Sequence, residues 1–255
     1  MPSSRLLVPA LLALALCCVP KVASADSFSD AQRGDIESIV RNYLIAHPEV
    51  LEEAMAELSK RQAAAETKKH EASITQNADA IFNSPRGVVV GNRDGDVTFV
   101  EFFDYNCGYC KRAMVDMMDL LKTDPKLKIV LKEFPVLSQG SIEAAQVGVA
   151  VRMQDPSGKK YLDFHQKLLN GRGPADKARA LAAAKDAGLD VARIEKDLSS
   201  PEVRATLEEN FKLAEAMGMN GTPSYVIGKQ IVIGAIGVDG LREKIGIARC
   251  GKASC

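Results

Sequence analysis

Two cysteines separated by two residues lie where a strand-like run meets a helix-like run. The run Val97–Phe103 is apolar on both faces, as buried central strands are, and apolar residues at helical spacing follow Cys107. The second cysteine is Cys110, and Gly108 and Tyr109 lie between the two. This junction predicts an α/β fold in which the cysteine pair lies at the N-terminus of a helix.

Such a pair allows three kinds of site. Zinc would need two more ligands, for which Cys250 and Cys255 are the candidates, yet structural zinc cysteines are typical of loops. An inert disulfide across so short a loop would remove little chain entropy. A redox dithiol fits the junction better, because a helix N-terminus stabilises the thiolate that acts as nucleophile. On this interpretation Cys107 is exposed and attacks, and the more buried Cys110 resolves the mixed disulfide.

The N-terminus predicts export. An apolar run over residues 6–19 follows a single basic residue and ends in a small-x-small pattern, Ala23-Ser24-Ala25. This pattern predicts a signal peptide, residues 1–25, cleaved after Ala25. Two cysteines in the run raise the alternative of a lipoprotein, but bulky Leu16 precedes the first of them. We therefore expect a periplasmic protein in a compartment where disulfides persist.

Composition and histidine spacing exclude several kinds of partner. Lys and Arg together number 33 and so do Asp and Glu, so no basic field predicts nucleic acid binding. The chain has no Trp, which disfavours a surface for stacking bases or sugars. His47, His70 and His165 show no metal-ligand spacing. We expect no cofactor, no resident metal and no nucleic acid partner.

Residues 26–84 predict an α-helical segment in front of the main domain. Asp30–Ala46 has apolar residues at helical spacing, with Asp30 as the expected N-cap, and His47-Pro48 separates it from a second helix. Beyond Arg61 the apolar face fades into a connector. The two amphipathic helices carry more apolar surface than they can bury against each other. We expect homo-oligomerisation through them, with docking onto the main domain as the alternative.

Residues 85–255 predict the main α/β domain. Two β-rich runs flank the turn-rich residues 92–96, which indicates a hairpin. The order strand, helix, strand around Cys107 predicts a parallel crossover. A helical insert over about 139–217 follows, and then two strands around Gly228-Lys229 and a last helix over 238–249.

Two polar features near the strands support redox chemistry. Thr222-Pro223 lies just before a strand. Cis prolines occur mainly where the local geometry requires them, and the order of cysteine pair, insert, proline and strand favours one here. Glu101 lies in an otherwise apolar strand, where a buried carboxyl group with a raised pKa could relay a proton to Cys110. The alternative is a solvent-facing Glu101. Lys132, in the neighbouring strand, is a candidate partner for Glu101.

The C-terminal tail carries the remaining cysteines. Cys250 and Cys255 lie in a segment containing Gly and Ser that is mobile enough to close a second disulfide. Interchain pairing and Cu(I) binding are the alternatives, since soft thiolates suit Cu(I). The methionines near the cysteine pair are interpreted as core, with a substrate-facing rim as the alternative; they are Met114, Met117 and Met118.

Taken together, three motifs resemble one family. The chain is similar, over residues 87–249, to the DsbA-like branch of the thioredoxin superfamily, on the motifs EFFDYNCGYC, KEFPVLSQGSIEAA and GTPSYVIG. The segment DIESIVRNYLIAHPEVLEEAMAELSKRQ is similar to the front segment of the ScsC (suppressor of copper sensitivity) proteins, which mediates self-association. The resemblance implies a thioredoxin fold with a helical insertion, preceded by an N-terminal α-helical segment.

The resemblance also implies roles for individual residues. Cys107 is the implied nucleophile, Cys110 the resolving cysteine and Pro223 a substrate-binding cis proline. Thr222, Gly108 and Tyr109 are the other implied substrate-binding residues. Strongly oxidising relatives carry Pro-His between the cysteines, whereas Gly-Tyr with Thr before the proline resembles the periplasmic disulfide isomerases. We therefore expect Cys107–Cys110 to be a redox-active disulfide that is less oxidising than a dedicated oxidase.

These features predict an exported thiol–disulfide oxidoreductase, in particular a disulfide isomerase acting on cysteine-containing exported proteins. A net dithiol oxidase and a periplasmic copper-binding dithiol without turnover are the alternatives. A membrane redox partner would set the oxidation state of the pair.

Overall fold

The computed structural model describes residues 28–255, which fall into two compact units, one ending at Ser59 and one beginning at Lys60. The predicted signal peptide lies outside the described residues. None of the helices described between residues 28 and 255 is long and apolar enough to cross a membrane.

Two long helices open the described chain, α1 (Asp30–Ala46) and α2 (Glu49–Gln76). The expected N-cap was wrong by one residue: Ser29 caps α1, because its hydroxyl accepts from the backbone N–H of Gln32 while the Gln32 side chain accepts from the Ser29 N–H. No residue of α1 is buried. Both helices expose large apolar side chains, namely Ile36, Ile39, Val40, Tyr43, Ile45, Leu51, Met55 and Leu58.

A five-stranded sheet of order β1-β3-β2-β4-β5 forms the centre of the second unit. Its strands are β1 (Val88–Gly91), β2 (Val97–Phe103), β3 (Leu127–Glu133), β4 (Ser224–Ile227) and β5 (Gln230–Ile233). Strands β2 and β3 are parallel, which the predicted crossover requires, and every other pair is antiparallel. The C-terminal end of central β2 leads directly into the cysteine pair.

The predicted hairpin between β1 and β2 was wrong. β1 pairs with β3, so β3 separates β1 from β2 in the sheet. The turn residues bond to the start of β3: the N–H of Asn92 donates to the Leu127 carbonyl and that of Asp96 to the Lys126 carbonyl, each at 3.0 Å. Turn-forming residues therefore predicted a reversal of the chain here, but not which strands pair.

Helices cover both faces of the sheet. The helices of the second unit that follow α2 are α3 (Ala78–Phe82), α4 (Gly108–Thr123), α5 (Gln139–Gln154), α6 (Lys159–Asn170), α7 (Lys177–Asp186), α8 (Val191–Asp197), α9 (Pro201–Ala216) and α10 (Gly237–Cys250). Helices α5 to α9 form the insert between β3 and β4. The larger core cluster contains Phe99, Phe103 and Leu131, and the smaller one contains Val100 and Phe102, as alternation along β2 requires. The predicted thioredoxin fold with a helical insertion is confirmed.

Candidate active site

The first cysteine of the pair caps the helix that follows it. Cys107 is the N-cap of α4, with extended backbone angles, and its Sγ accepts from the backbone N–H of Cys110 at 3.4 Å. Unpaired N–H groups and the positive end of the helix dipole therefore surround this sulfur. Both cysteines are free thiols.

A cis peptide bond lies beside Cys107. The Thr222–Pro223 bond is cis, and the Cys107 thiol donates to the Thr222 carbonyl at 3.1 Å. The Pro223 carbonyl accepts from the Gly234 N–H at 2.8 Å, which ties this turn to the residue after β5. The turn before β4 and the start of α4 thus meet at the sulfur, although 115 residues separate Cys107 from Thr222 in the chain.

The environment of Cys107 favours its thiolate. Its pKa is lowered to about 5, first by a hydrogen bond from the Cys110 thiol and then by Thr222 and the backbone N–H groups of Cys110 and Tyr109, against the opposing effect of burial. The Thr222 hydroxyl is buried and has no hydrogen-bond partner within residues 28–255. A thiolate at neutral pH is the form of cysteine that attacks disulfides.

The second cysteine has the opposite character. Burial, the hydrogen bond to Cys107 and the negative charge of Glu101 together raise the pKa of Cys110, which is 1% exposed. Glu101 lies in β2, opposite Leu131 and Tyr225, and is 3% exposed. Burial raises its pKa to about 8, with additional repulsion from Cys107 and Asp116. The solvent-facing alternative for Glu101 was therefore wrong.

Lys132 is not the partner of Glu101. In the parallel register Lys132 is opposite Phe102, so the two charged side chains lie on different faces of the sheet. The Lys132 amine lies 3.7 Å from a Glu209 carboxylate oxygen in α9, and burial lowers its pKa to about 8. Adjacency of two strands was predictable, but the register that separates these residues was not.

Exposure differs sharply within the first turn of α4. The expectation that Cys107 is exposed was wrong: it is 6% exposed, because the turn at Thr222 packs over it. Gly108 is exposed, and Tyr109 is 59% exposed, with the Arg112 guanidinium 4.3 Å from its ring centroid. Cys107 is therefore covered, whereas the two residues that follow it are exposed.

The remaining candidates lie apart from this site. Cys250 and Cys255 are joined in a disulfide at the end of α10, which leaves neither free to bind zinc with the Cys107 pair. Within residues 28–255 no three His, Cys, Asp or Glu side chains are grouped to bind a metal ion. His165 is buried between Phe103 and Tyr105, and burial lowers its pKa to about 3. Among the methionines, Met114 and Met117 are buried in the larger core cluster and Met118 packs against that cluster.

Sequence reasoning did not single out two polar residues of the loop between β2 and α4. Asp104 is 1% exposed and binds the loop after β3, and partly buried Asn106 binds the helical insert. The only sequence signal was a charged and an amide residue directly after an apolar strand.

Two family models match the chain. The DSBA-like thioredoxin domain matches residues 98–246, and the Copper resistance protein ScsC N-terminal domain matches residues 32–65. The chain spans 21% of the length of a Na(+)/H(+) antiporter NhaA of Herminiimonas arsenicoxydans, to which it is 30% identical over 138 residues. It spans 64% of the length of the thiol:disulfide interchange protein DsbA of Bordetella pertussis, at 26% identity over 138 residues and 52% of this chain.

Solved structures show the same fold. A thioredoxin-like oxidoreductase from Silicibacter pomeroyi is 40% identical, with a TM-score of 0.64 over 67% of this chain and 96% of that one. Proteus mirabilis ScsC in a transitional conformation is 28% identical, with a TM-score of 0.63 over 88% of this chain and 97% of that one. The predicted resemblance is confirmed: the chain belongs to the DSBA-like thioredoxin domain family and carries an ScsC-type N-terminal domain.

Proposed function

We propose that this chain is an exported thiol–disulfide oxidoreductase that rearranges disulfides in cysteine-containing proteins of the periplasm. The observation that carries the proposal is the lowered pKa of Cys107, at a helix N-terminus and beside the cis Thr222–Pro223 bond. The predicted signal peptide supports the location.

The chemistry is thiol–disulfide exchange. The Cys107 thiolate attacks one sulfur of a substrate disulfide, forms a mixed disulfide and expels the other substrate sulfur as a thiolate. In isomerisation that thiolate, or another in the substrate, attacks the mixed disulfide and regenerates the Cys107 thiolate, so no net electrons are transferred. In net reduction Cys110 attacks the Cys107 sulfur, releases the reduced substrate and leaves the Cys107–Cys110 disulfide.

Glu101 supplies the proton transfer for the second route. Cys110 must lose its proton to attack, and its raised pKa makes this unfavourable without a base. Ionised Glu101, buried on the same side of the sheet as α4, would accept that proton and return it when the pair is reduced again. Its pKa of about 8 is suited to exchange in both directions near neutral pH.

Residues around the cis bond would bind the substrate backbone. An extended peptide could align with the segment at Thr222-Pro223 by strand-like pairing, and exposed Gly108 and Tyr109 would contact the residues flanking its cysteine. Close packing at Cys107 favours an extended segment over a folded surface.

The cysteine acidity bears on the direction of electron flow. A lower pKa stabilises the reduced pair and makes its disulfide more oxidising. The value of about 5 for Cys107 lies between about 7 for thioredoxin and about 3.5 for the strong oxidant DsbA. Gly108-Tyr109 in place of Pro-His agrees with this intermediate position. A membrane redox partner would hold the pair in the state that isomerisation needs, which is the reduced one.

Self-association would place several active sites in one particle. One exposed apolar stripe on α1, in the segment matched by the ScsC N-terminal domain, is formed by Ile36, Ile39, Val40 and Tyr43. Replacing Ile39→Glu in this stripe should reduce the particle mass measured by light scattering to that of one chain. Ser38→Glu, on the opposite side of α1, is the matched control. A wild-type monomer would contradict the proposal.

The decisive assay compares two forms of one substrate. An isomerase recovers activity from a scrambled disulfide substrate in the presence of a thiol, whereas an oxidase acts on the reduced substrate. Cys110→Ala should accumulate mixed disulfides with substrate. Tight Cu(I) binding by Cys107 and Cys110 with no turnover of either substrate would support the rival copper-binding function and contradict ours.

A further inference from the structure

The loop between β2 and α4 presents alternate side chains to different parts of the molecule. Tyr105 points into the core, where its hydroxyl donates to Glu133 at 3.0 Å. On either side of it, Asp104 binds the loop that leads from β3 into the helical insert, and Asn106 binds the loop before α7 within the insert. Cys107 follows directly, so these contacts join the insert to the nucleophile's own loop.

Asp104 holds the entrance to the insert. Its two carboxylate oxygens accept from three backbone N–H groups: Asn106 at 2.8 Å, Val136 at 2.9 Å and Leu137 at 3.1 Å. The Asp104 carbonyl also accepts from the Cys107 N–H at 3.1 Å. An acidic side chain that is 1% exposed needs such donors, and its removal would leave buried N–H groups unpaired.

Asn106 holds a second segment of the insert, the loop before α7. Its amide oxygen accepts from the Ala175 N–H at 2.6 Å, and its amide nitrogen donates to the Ala175 carbonyl at 2.8 Å and to the Ser141 hydroxyl at 3.0 Å. Both backbone groups of one residue are thereby held by one side chain. Asp104 and Asn106 together fix the loop after β3 and the loop before α7.

The loop after β3 exposes an apolar pair at its tip. Val136 is 40% exposed and Leu137 is 55% exposed, although their backbone N–H groups bind Asp104. Exposed Tyr109 lies in the first turn of α4, three residues beyond Asn106. Apolar side chains whose backbone is anchored to the catalytic loop form a fixed surface for apolar residues.

We propose that Asp104 is a positioning residue that fastens Val136 and Leu137 beside the catalytic loop, supported by Asn106 through its bonds to Ser141 and Ala175, so that the protein selects cysteines flanked by apolar residues in an extended chain. This rests on the proposed function. The two residues act through the loop that they hold, and neither touches the reacting sulfur atoms.

The test uses the full mature chain and two synthetic peptides, each closed by one disulfide. One peptide carries leucine and valine beside its cysteines and the other carries serine, and reduced glutathione is the final reductant. In Asp104→Ala the KM for the apolar peptide should rise about tenfold, as expected for the loss of the two hydrogen bonds to Val136 and Leu137, with a much smaller change in kcat, and in Asn106→Ala it should rise by less. The KM for the serine peptide should change far less, and Asp104→Asn should be intermediate.

Asn92→Ala is the matched control. Asn92 also holds a loop with both ends of its amide, accepting from the Asp94 N–H and donating to the Pro125 carbonyl, each at 3.0 Å. It precedes β2, whereas Asp104 follows it, so the two lie at opposite ends of the strand. Its KM values should match those of the wild type.

The outcomes separate the inference from the proposed function. A wild-type protein that reduces neither peptide contradicts the proposed function itself. If the wild type prefers the apolar peptide and the variants keep this preference, the inference alone is overturned. The same holds if the variants shift the Cys107 pKa but leave the KM for the apolar peptide unchanged. If Asp104→Ala does not fold, the double variant Val136→Ser/Leu137→Ser decides, because retention of the preference there also overturns it.

Discussion

Within residues 28–255 two cysteine pairs lie at opposite ends of helices. Cys107 and Cys110 open α4, are buried in the larger core cluster and are free thiols. Cys250 and Cys255 close α10, are exposed and form a disulfide. A helix N-terminus stabilises a thiolate and a C-terminus repels it. The end of the helix at which each pair lies, more than the spacing of its cysteines, distinguishes the reactive thiols from the C-terminal disulfide.

The largest expected difference in catalytic rate is between variants of the two cysteine pairs. Cys107→Ser should lower the rate of disulfide rearrangement by several orders of magnitude, because Cys110, the thiol that remains at the site, is buried and has a raised pKa. Cys250→Ser/Cys255→Ser should keep most of that rate in the same refolding assay. Equal losses in the two variants would show that both pairs exchange electrons.

The pH dependence of alkylation comes next in size. Because the pKa of Cys107 is about 5, the rate of its reaction with iodoacetamide should fall about a hundredfold between pH 7 and pH 3 as the thiolate disappears. The same thiolate stabilises the folded, reduced protein, and that contribution is fully present above the ordinary thiol pKa and lost as the pH falls through 5.

Cys107→Ser provides the control for this titration. The raised pKa of Cys110 predicts no reaction of the remaining thiol at neutral pH. A midpoint near the ordinary thiol value in the wild-type protein would contradict the role of the α4 N-terminus.

Glu101→Gln addresses the base beside the buried pair. With a pKa of about 8, roughly a tenth of Glu101 is ionised at pH 7, so its loss should slow resolution of the mixed disulfide about tenfold, less than most general bases contribute. The wild-type rate should rise with pH through about 8, and the variant should lose this rise. Glu243→Gln, an exposed carboxylate in α10, is the control in a quenched-flow measurement. An unchanged pH profile would exclude the relay.

The smallest expected effect concerns the Cys250–Cys255 disulfide. Cys250→Ser/Cys255→Ser should cost at most about 2 kcal/mol, since the closed loop is short, and lower Tm by a few degrees. Calorimetry of the oxidised protein before and after the substitution measures this. A large loss of activity in a variant that remains folded would show that the Cys250–Cys255 disulfide takes part in catalysis.

Local signals predicted most of what surrounds the reactive pair. A two-sided apolar strand followed by helical spacing identified the N-terminus of α4, and a proline before a strand identified the position of the cis bond. These features depend on residues close in sequence, where backbone preferences are strong. Glu101 was also predictable, since a carboxyl group in an apolar strand is costly without a role.

Features that depend on strand register or on contacts between residues distant in sequence were not predictable. The pairing of β1 with β3, and the separation of Lys132 from Glu101, depend on which strands meet and in what alignment. Asp104 and Asn106 bind residues 136, 137, 141 and 175, which are distant in sequence and are brought to them by the tertiary fold. A polar side chain has no sequence pattern that reveals a partner about 30 to 70 residues away.

The capping role of Cys107 links helix fraying to redox state. Its sulfur accepts from the Cys110 N–H while it is a free thiol or thiolate. A disulfide sulfur carries no negative charge and is a weaker acceptor, so oxidation loosens the first turn of α4. Hydrogen exchange at the Cys110 amide should therefore be slower in the reduced protein. The exchange rate of this one backbone proton would then report the redox state of the cysteine pair.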